Sequence, residues 1–378
     1  MDIHKGYKFR FYPTTEQEDL LARSFGCARK VYNDGLELKS RAYSEARQNI
    51  SFADLWFLHT LDKHREELAF FTEVPSVVIQ QSLRDLDTAY QRFFRKQSKY
   101  PKFKSKHDVQ SIRFPTNGFK YDGRNSLTLA RMSSPLSIKW SRTIPRAAKV
   151  KSVTISKDKS NRYFVSFLCL DSVSTKAAVE SNIGIDFGLK DFITLSTGEK
   201  VTSPKFYRKA EDKLKRLQKH HSKKRSGSQN KEKARLKLAR AYAKAADARR
   251  DFLHKLSSKL VNENQVICIE DLSMKNMSKN RKLAKSIFDS GWYEFTRQLE
   301  YKASWYGRTV QKVGRFYPSS KTCSHCGTIK PQLSLSDRNW VCSDCGTEHD
   351  RDVNAALNVL AEGLSVLACG EESSGSRV

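Results

Sequence analysis

The chain has 378 residues, 11% of them aromatic, and a net charge of +28 from 69 Lys or Arg against 41 Asp or Glu. This combination indicates a polyanionic partner, because basic groups neutralise phosphates and aromatic rings stack on bases. It excludes a disordered basic tail, which would be poorer in aromatic residues, and the lack of a long apolar run or a basic amphipathic anchor argues against a membrane protein.

The length and the cysteines narrow the class of protein further. The chain is long enough for two or three domains with a substantial core. Its first residues, MDIHKGYKFRFYP, contain no apolar signal-peptide core. Four of the eight cysteines stand outside any CxxC pair, and we expect them to be plain thiols: Cys27, Cys169, Cys268 and Cys369. Together these features predict a soluble intracellular protein.

The N-terminal part begins with a strand pattern and continues with helical patterns. Residues 6–12 alternate basic and aromatic side chains and end at Pro13, which predicts an edge strand. A helical pattern then follows a cap at Thr14 or Thr15, and a second follows Ser51. A third begins after Pro75, with one apolar stripe: Ile79, Leu83, Leu86, Tyr90 and Phe93. Gln80 and Gln81 fall off this stripe and face either a duplex or only solvent.

The next part of the chain changes from helical to extended patterns. In residues 94–121, Lys and Arg interleave with Phe and Tyr while Pro and Gly interrupt any helix, which predicts either a nucleic-acid-facing surface or a flexible linker. Short strand-like runs across 126–170 predict a small antiparallel barrel. Residues 6–12 would join that barrel and make the helices of 14–93 an insertion. A polar linker is expected over 171–181.

The first chemically informative acid lies inside an apolar strand. Residues 183–195 predict a strand, a turn and a second strand, with Asp186 in the first of them. Burying a carboxylate there is costly unless it pairs or binds a metal. Gly184 and Gly188 on either side would allow a ligand to approach the backbone closely.

Residues 201–260 are the most basic part of the chain, with 20 Lys or Arg and 5 Asp or Glu. Ser226-Gly227-Ser228 splits the helical pattern of 204–262 into a hairpin. Such a hairpin is often only a solvated charged surface, but this excess of one sign favours phosphate binding.

A second apolar strand is predicted over residues 266–272, and it carries two acids near its end, Glu270 and Asp271. One continuous helix is predicted after it, over 287–307. Its expected core stripe is Phe288, Trp292, Phe295, Leu299, Ala303 and Tyr306. A strand over 309–318 then leads to the cysteine motif.

The cysteine motif reads C-x2-C, fifteen residues, then C-x2-C, with candidate ligands Cys323, Cys326, Cys342 and Cys345. Four thiolates suit a closed tetrahedral Zn2+ site, about 2.3 Å from each sulfur. The alternatives are two disulfides or free thiols. His325 within the first knuckle is either a substitute ligand or an exposed turn residue.

An acidic helix start, His349-Asp350-Arg351-Asp352, follows the motif directly. A single Asp at this position is usually only a cap. If neighbouring parallel strands bring Asp186 and Glu270 together and a packed helix adds Asp352, three carboxylates share one cleft. They would require hard cations such as Mg2+ or Mn2+, and a pair of these supports phosphodiester hydrolysis. On a basic background this predicts a nuclease.

These motifs resemble a known family. GIDFGLKDF, IEDL, CSHCG with CSDCG, and HDRDVNAALN are similar, in this order, to the C-terminal half of TnpB proteins, which are transposon-encoded nucleases; YKFRFYPTTEQ, RKVYN and QQSLRDLDTAYQRFF resemble the N-terminal half more loosely. The resemblance implies an α/β fold: an RNase H-like (RuvC) nuclease domain with an inserted four-cysteine zinc finger. It also implies an N-terminal wedge-type antiparallel β-barrel interrupted by a helical recognition domain.

The resemblance implies specific domain bounds and partners. The wedge-type barrel would comprise 1–13 and 94–178, with the helical domain at 14–93. The nuclease domain would be 179–378, containing the basic hairpin 204–262 and the zinc finger 318–348. The partners would be a guide RNA from the transposon end and a target double-stranded DNA that carries a short adjacent motif. We expect the protein to be a monomer with one RNA. We also expect it to lie in the cytoplasm of a prokaryote, associated with the nucleoid.

The resemblance also assigns residue roles. Asp186, Glu270 and Asp352 would be the catalytic, metal-binding acids for two Mg2+ or Mn2+ ions, with Asp350 as the alternative to Asp352, and the four cysteines would hold one structural Zn2+. The expected nucleic-acid contacts are Phe11, Tyr12, Gln80, Gln81, Lys102, Phe103, Lys104, Lys223, Lys224 and Arg225. Two other functions stay open: an RNA-guided regulator that binds without cutting, and a transposase or resolvase that needs no RNA.

Overall fold

A computed structural model describes residues 2–63, 65–277, 279–334 and 336–370. The chain divides into two compact units, and the boundary between them in the sequence falls between Ser172 and Val173. Within these ranges, no helix is both long enough and apolar enough to cross a bilayer.

The first unit begins with a long strand followed by helices. These elements are β1 (Asp2–Tyr12), α1 (Thr15–Ala46), α2 (Phe52–Asp62), a 3-10 helix (Glu66–Glu73) and α3 (Ser76–Phe94). The predicted cap at Thr14 is confirmed: its hydroxyl accepts from the Gln17 amide, and the Gln17 side chain accepts from the Thr14 amide. Ser51 makes the same reciprocal cap at α2. These caps start the helices because they satisfy amides that have no partner within a first turn.

Six further strands complete the first unit. They are β2 (Gln110–Pro115), β3 (Phe119–Tyr121), β4 (Leu127–Leu129), β5 (Ser137–Lys139), β6 (Lys149–Lys157) and β7 (Tyr163–Ser172). An antiparallel sheet has the order β2-β6-β7-β1-β5, and β3 pairs with β4 separately. Because β2 and β5 end this order within the described ranges, a closed barrel stays a prediction.

The prediction that residues 6–12 form an edge strand is wrong. β1 pairs with β7 along most of its length and with β5 over Arg10–Tyr12. The alternation of basic and aromatic residues has a different cause: Tyr7, Phe9 and Phe11 point into the core while the intervening side chains point outward. β7 also runs through Ser172 and so enters the predicted linker; the Tyr7 hydroxyl donates to the buried Asp171 carboxylate at 2.7 Å.

The second unit alternates strands and helices before its final helix. Its elements are β8 (Asn182–Phe187), β9 (Asp191–Leu195), β10 (Lys200–Thr202), α4 (Phe206–Ser222), α5 (Gln229–Glu263), β11 (Val266–Glu270), α6 (Met274–Met277), α7 (Arg281–Ser290), α8 (Trp292–Tyr306), β12 (Thr309–Val313), β13 (Asn339–Val341), β14 (Glu348–Asp350) and α9 (Arg351–Ala368).

The main sheet of this unit has the order β10-β9-β8-β11-β12. β8, β11 and β12 are parallel, whereas β9 and β10 run antiparallel to their neighbours. Isoleucines of β8 and β11 pack on one face with residues of α5 and α8: Ile183, Ile185, Ile267, Ile269, Leu253, Leu260, Trp292, Phe295 and Leu299. Because side chains alternate along a strand, the intervening residues face the opposite side.

The single helix predicted over 287–307 is wrong in one respect. Gly291 adopts φ +74° between α7 and α8, a conformation that glycine reaches without steric cost, and it separates the two helices. The expected apolar stripe therefore does not continue across the break. Phe288 is 68% exposed, whereas Trp292, Phe295, Leu299 and Ala303 are buried as predicted.

Candidate active site and metal centre

Asp186 and Glu270 lie at the same end of the main sheet. β8 and β11 are parallel, and the last paired residues of their ladder are Ile185 and Ile269, one position before each acid. The two carboxylates are therefore neighbours at the carboxyl ends of adjacent strands. By alternation they share a face with Gly184 and not with the buried isoleucines.

α9 covers this face at very short range. A Cβ added to Gly184 would lie 2.1 Å from the Ala356 carbonyl oxygen, and one added to Gly363 would lie 2.4 Å from the Cys268 Sγ. Gly184 of β8 and Cys268 of β11 are paired in the ladder, so α9 crosses from β8, where its first half meets Gly184, to β11, where its second half meets Cys268. The first turn of α9 contains Asp352, and this turn lies close to Asp186, because the negative charge of Asp352 contributes to the raised pKa of Asp186.

The electrostatics of Asp186 reflect this arrangement. Burial is the largest influence, and the negative charges of Glu270 and Asp352 add to it, so the pKa of Asp186 is raised well above its usual range. A carboxyl group in this setting favours either a proton or a cation over an uncompensated charge. Within the described ranges, the three carboxylates do not gather tightly enough to form a single-ion cluster.

Glu270 has a polar partner that the sequence does not predict. The Ser319 hydroxyl donates to Glu270 Oε1 at 2.7 Å, across 49 residues of chain. Burial raises the pKa of Glu270, and the hydrogen bond from Ser319 offsets part of that rise. A cavity of about 310 Å³ opens beside Glu270 and is also lined by Asp271, Asn276, Arg315 and Tyr317.

The two acids at the start of α9, Asp350 and Asp352, differ in their hydrogen bonds. Asp350 is the cap: its Oδ1 accepts from the Asp352 and Val353 amides at 3.1 and 3.0 Å. Its Oδ2 accepts from Lys200 Nζ at 2.6 Å. Burial would raise the pKa of Asp350, but the bonds from Lys200 and Val353 outweigh it and lower that pKa. Asp350 is thus committed to structure, and the carboxylate of Asp352 remains as the third candidate.

The four cysteines form a cluster that can hold one metal ion. Their sulfurs all lie within 4.8 Å of one another. The Cys323–Cys345 and Cys326–Cys342 sulfur separations are 3.7 and 3.6 Å. A Zn2+ ion about 2.3 Å from each sulfur requires sulfurs about 3.8 Å apart, so the cluster fits a tetrahedral ion such as zinc. A disulfide needs about 2.05 Å, so neither disulfide is formed.

The two knuckles have the same internal geometry. In each, the glycine amide donates to the carbonyl of the first cysteine, from Gly327 to Cys323 at 2.9 Å and from Gly346 to Cys342 at 3.0 Å. Both glycines have positive φ, 82° and 73°, which a larger residue would resist. Hydrogen bonding with Thr328 lowers the pKa of Cys326 to about 6, which favours the thiolate that a metal requires.

Two histidines near the cluster differ. His325 is exposed, as an ordinary turn residue would be. His349, which the sequence left without a role, is buried, and its Nε2 lies 3.0 Å from the Cys323 Sγ. Its ring also lies 4.6 Å from that of Trp340, between centroids. His349 therefore connects the cysteine cluster to β14 and to the start of α9.

Two buried asparagines of α9 form hydrogen bonds with the segment of chain that leads into the cysteine cluster. Asn354 Nδ2 donates to the Thr322 carbonyl at 2.7 Å, and Asn354 Oδ1 accepts from the Ser324 amide at 2.9 Å. Asn358 Nδ2 donates to the carbonyls of Ser319 and Thr322 at 2.7 and 2.6 Å. Because Ser319 also donates to Glu270, this network joins sheet, helix and cysteine cluster. Only the spacing of the two asparagines, one helical turn, signalled a shared face.

The predicted nucleic-acid contacts of the first unit differ in exposure. The prediction that Phe11 contacts nucleic acid is wrong: Phe11 is 1% exposed and lies in the core, so no base can stack on it. Tyr12 next to it is 52% exposed and Phe103 is 62% exposed. Lys102 and Lys104 are also exposed, although the Lys104 ammonium lies over the Tyr32 ring.

Other predicted contacts lie on one helix and one turn. Gln80 and Gln81 are half-buried on α3, and Gln81 Nε2 donates to Asp85 at 3.2 Å. Lys223, Lys224 and Arg225 lie in the turn between α4 and α5, with Lys223 and Arg225 exposed. These residues stay predictions.

Three sequence families match successive parts of the chain. A family described as "Helix-turn-helix domain" matches residues 1–48, one described as "Probable transposase" matches 154–281, and one described as "Cas12f1-like, TNB domain" matches 292–359. The last match includes the cysteine cluster and the first half of α9.

Two curated relatives are similar along nearly the whole chain. A Streptomyces pristinaespiralis protein named "Putative RNA-guided DNA endonuclease" is 47% identical over 371 residues, which cover 98% of this chain and 92% of the relative. An Escherichia coli K12 protein named "Putative RNA-guided DNA endonuclease InsQ" is 33% identical, covering 97% and 94%. A cryo-EM structure of a Cas12f1–sgRNA–target DNA complex has the same fold, with a TM-score of 0.58, 15% identity and coverage of 95% and 98%.

Proposed function

This chain belongs to the TnpB family, and from this premise we propose its function and mechanism. Its curated relatives carry the names "Putative RNA-guided DNA endonuclease" and "TnpB-like protein". The protein is an RNA-guided DNA endonuclease encoded by an insertion-sequence transposon. It hydrolyses phosphodiester bonds of a target DNA beside a short transposon-adjacent motif, with RNA pairing reading the remaining sequence.

One observation carries the catalytic part of the proposal. Asp186 and Glu270 end adjacent parallel strands on the face that α9 covers, and Asp352 lies in the first turn of α9. The raised pKa of Asp186 is what a buried carboxylate next to two others would have before a cation compensates their charge. These three residues would hold Mg2+ or Mn2+, and we propose two ions. When bound, such ions activate water and stabilise the leaving oxygen.

The fold supports the same proposal. A sheet of order β10-β9-β8-β11-β12 with three parallel and two antiparallel strands is what we expect of an RNase H-like, RuvC-type nuclease domain. The cysteine cluster would bind one structural Zn2+ and hold β13, β14 and the start of α9 together. In the first unit, the antiparallel sheet would be the wedge-type barrel and α1 to α3 the recognition helices.

Charge supports a polyanionic partner. Residues 201–260, which make up most of α4 and α5, carry 20 Lys or Arg and 5 Asp or Glu. We propose that this hairpin binds the phosphates of a guide RNA or its heteroduplex, with Lys223, Lys224 and Arg225 at its tip. Tyr12, Gln80, Gln81, Lys102, Phe103 and Lys104 are the proposed contacts of the first unit, and one chain would carry one RNA.

Plasmid cleavage tests the proposal. The protein is purified after co-expression with its native flanking DNA and offered plasmids in which randomised base pairs adjoin the guide match. Reactions contain or lack Mg2+, and the variants are Asp186→Ala and, as a matched control, Asp251→Ala, an exposed acid on α5.

The proposal expects Mg2+-dependent cutting next to one motif by the wild type and the Asp251 variant, and none by the Asp186 variant. Motif-dependent binding without cutting would instead identify a regulator. Cutting that survives RNase treatment and shows no motif would identify an RNA-independent nuclease.

A further inference from the structure

An aromatic cavity of about 660 Å³ lies in the first unit, away from the candidate carboxylates in the sequence and in a different unit. It forms where the last turns of α1, the turn leading into α2 and the last turns of α3 meet. Tyr100 closes it from the segment that follows α3. A volume of this size suits a small organic ligand or one nucleotide.

The walls of the cavity are aromatic and held in place. Tyr90 is buried, its ring lies 6.1 Å from Phe94 at an interplanar angle of 26°, and it meets the Tyr100 ring edge-on at 5.6 Å. The Tyr90 and Tyr100 hydroxyls lie 2.9 Å apart, and Ser40 Oγ lies 2.7 Å from the Tyr100 hydroxyl. The hydrogen bonds among Ser40, Tyr90 and Tyr100 therefore hold the rings in place, while the outer faces of the rings remain accessible.

Two of these rings are open to a ligand. Phe94 of α3 is 72% exposed and Tyr43 of α1 is 57% exposed, and both line the cavity. Phe94 contacts Tyr90 on one side but leaves most of its ring in water, so a flat partner that stacks on it would remove apolar area from water.

Polar groups line the side of the cavity formed by α3. Asp87 and Gln91 are one helical turn apart, and Gln91 Nε2 donates to Asp87 Oδ2 at 2.8 Å. A carboxylate beside aromatic rings can accept a hydrogen bond from an exocyclic amino group, as carboxylates do from cytosine. Uracil and thymine have no such group.

The chain around the cavity is strongly basic. Residues 92–106 contain seven Lys or Arg and no Asp or Glu. On the other side, the Arg47 guanidinium lies over the Tyr43 ring at 5.1 Å. Cations next to aromatic surfaces are the pattern that holds a phosphate backbone while a base stacks.

We propose that this cavity binds one unpaired nucleobase of a single-stranded nucleic acid, with a preference for a base that carries an exocyclic amino group. The base stacks between Phe94 and Tyr43, its amino group donates to Asp87, and the basic residues of 92–106 hold the flanking phosphates. The site rests on the proposed function only in taking nucleic acid as the partner, and it requires no cutting.

Fluorescence of 2-aminopurine tests this site with the full chain in the absence of Mg2+. The probe is a pentanucleotide with a central 2-aminopurine, in an RNA arm with flanking uridines and a DNA arm with flanking thymidines. The variants are Phe94→Ala, Tyr43→Ala and Asp87→Leu, in which leucine has a similar shape and accepts no hydrogen bond. Phe57→Ala is the control, because Phe57 is 63% exposed but does not line the cavity.

The expected result is quenching on binding that weakens about fivefold or more in the Phe94 and Tyr43 variants and stays unchanged in the Phe57 variant. A pentanucleotide with an abasic centre should compete at least about fivefold less well than one with adenine. In the Asp87 variant, cytosine should lose its advantage over uracil as the central base of a competitor. The arm that binds more tightly identifies RNA or DNA as the source.

Unchanged binding by both aromatic variants, or equal competition by the abasic strand, would overturn the proposal. Circular dichroism checks that the variants are folded, and two single variants on different helices keep the test valid if one of them is not. Plasmid cleavage by the same preparations separates this site from the nuclease: a protein that binds the probe but never cuts contradicts only the proposed function.

Discussion

Gly184 of β8 and Ala356 of α9 lie so close that a Cβ on Gly184 would be 2.1 Å from the Ala356 carbonyl oxygen. This contact sets the distance between α9 and the sheet. It thereby sets how far Asp352, one turn before Ala356, lies from Asp186, two residues after Gly184.

Replacing Gly184 with Ala should therefore push α9 away from the sheet. The clash is with backbone, which cannot rotate aside as a side chain could, so we expect a loss of about 3 kcal/mol in unfolding free energy. Denaturant unfolding followed by circular dichroism measures this. The matched control is Gly314→Ala in the same unit, where an added Cβ meets nothing within 4 Å. Equal midpoints for both variants would contradict the prediction.

The two acids at the start of α9 should separate by function. Asp352→Asn should reduce Mg2+-dependent cleavage by roughly 100-fold or more, since an amide is a poor ligand for a hard cation. Asp350→Asn should retain most of the cleavage rate, because an asparagine still caps a helix, and should lose only the ion pair with Lys200. Cleavage rates at saturating Mg2+ make the comparison; the opposite order would identify Asp350 as the metal ligand.

The asparagine network should be needed for both stability and cutting. Asn358→Ala removes the shorter of two side-chain hydrogen bonds to each of the Ser319 and Thr322 carbonyls, which should cost about 1 kcal/mol because Asn354 still donates to both. Cleavage should also fall, since Ser319 orients Glu270. Asn230→Ala, an exposed position near the start of α5, is the control for both measurements. Wild-type cleavage by the Asn358 variant would show that Glu270 does not depend on this network.

Metal analysis should find one zinc ion per chain. Cys342→Ser should release it and lower the melting temperature of the second unit, because β13, β14 and the start of α9 lose their common anchor. Cys369→Ser, at the exposed end of α9, should retain zinc. The same zinc content in both variants would rule out the four-cysteine site.

Lys302 should make stability depend on pH. The residue is 6% exposed and its ammonium donates to the His254 carbonyl and to the Ser257 and Ser258 hydroxyls, yet burial lowers the pKa of Lys302 to about 8. Above that pH the unfolded chain holds a proton that the folded chain has lost, so this residue's contribution to stability rises with pH.

Between pH 7 and pH 9 the wild type should gain about 1 kcal/mol relative to Lys302→Met, whose side chain does not titrate. Denaturant unfolding of both proteins at the two pH values measures the difference. A difference that stays constant, or that shrinks as pH rises, would show that the three hydrogen bonds keep the ammonium charged throughout this range.

Local chemistry determined much of this protein from its sequence. The Thr14 and Ser51 caps follow from hydrogen bonds between residues three apart, and the knuckles from cysteines two residues apart with glycine next to them. Such features need few long-range contacts, so the sequence was sufficient to predict them. The position of Glu270 at a strand end was predictable for the same reason, whereas Asp186, expected inside its strand, lies one residue before the end of β8.

Long-range packing decided the rest. Alternation along residues 6–12 was visible, but only the ladders with β7 and β5 showed that Phe11 faces a core and that β1 is not an edge. The break at Gly291 depended on a backbone conformation that the helical pattern of its neighbours concealed.

The sequence by itself therefore determined the types of chemistry available: three acids, four thiols and an excess of positive charge. Only the tertiary structure decided which groups meet, as Ser319 meets Glu270 and Asn358 meets Thr322. The physical reason is range. Propensity, capping and turn geometry act between near neighbours. The packing of α9 on the sheet depends instead on contacts between residues as far apart in the chain as Gly184 and Leu360, which are 176 positions apart.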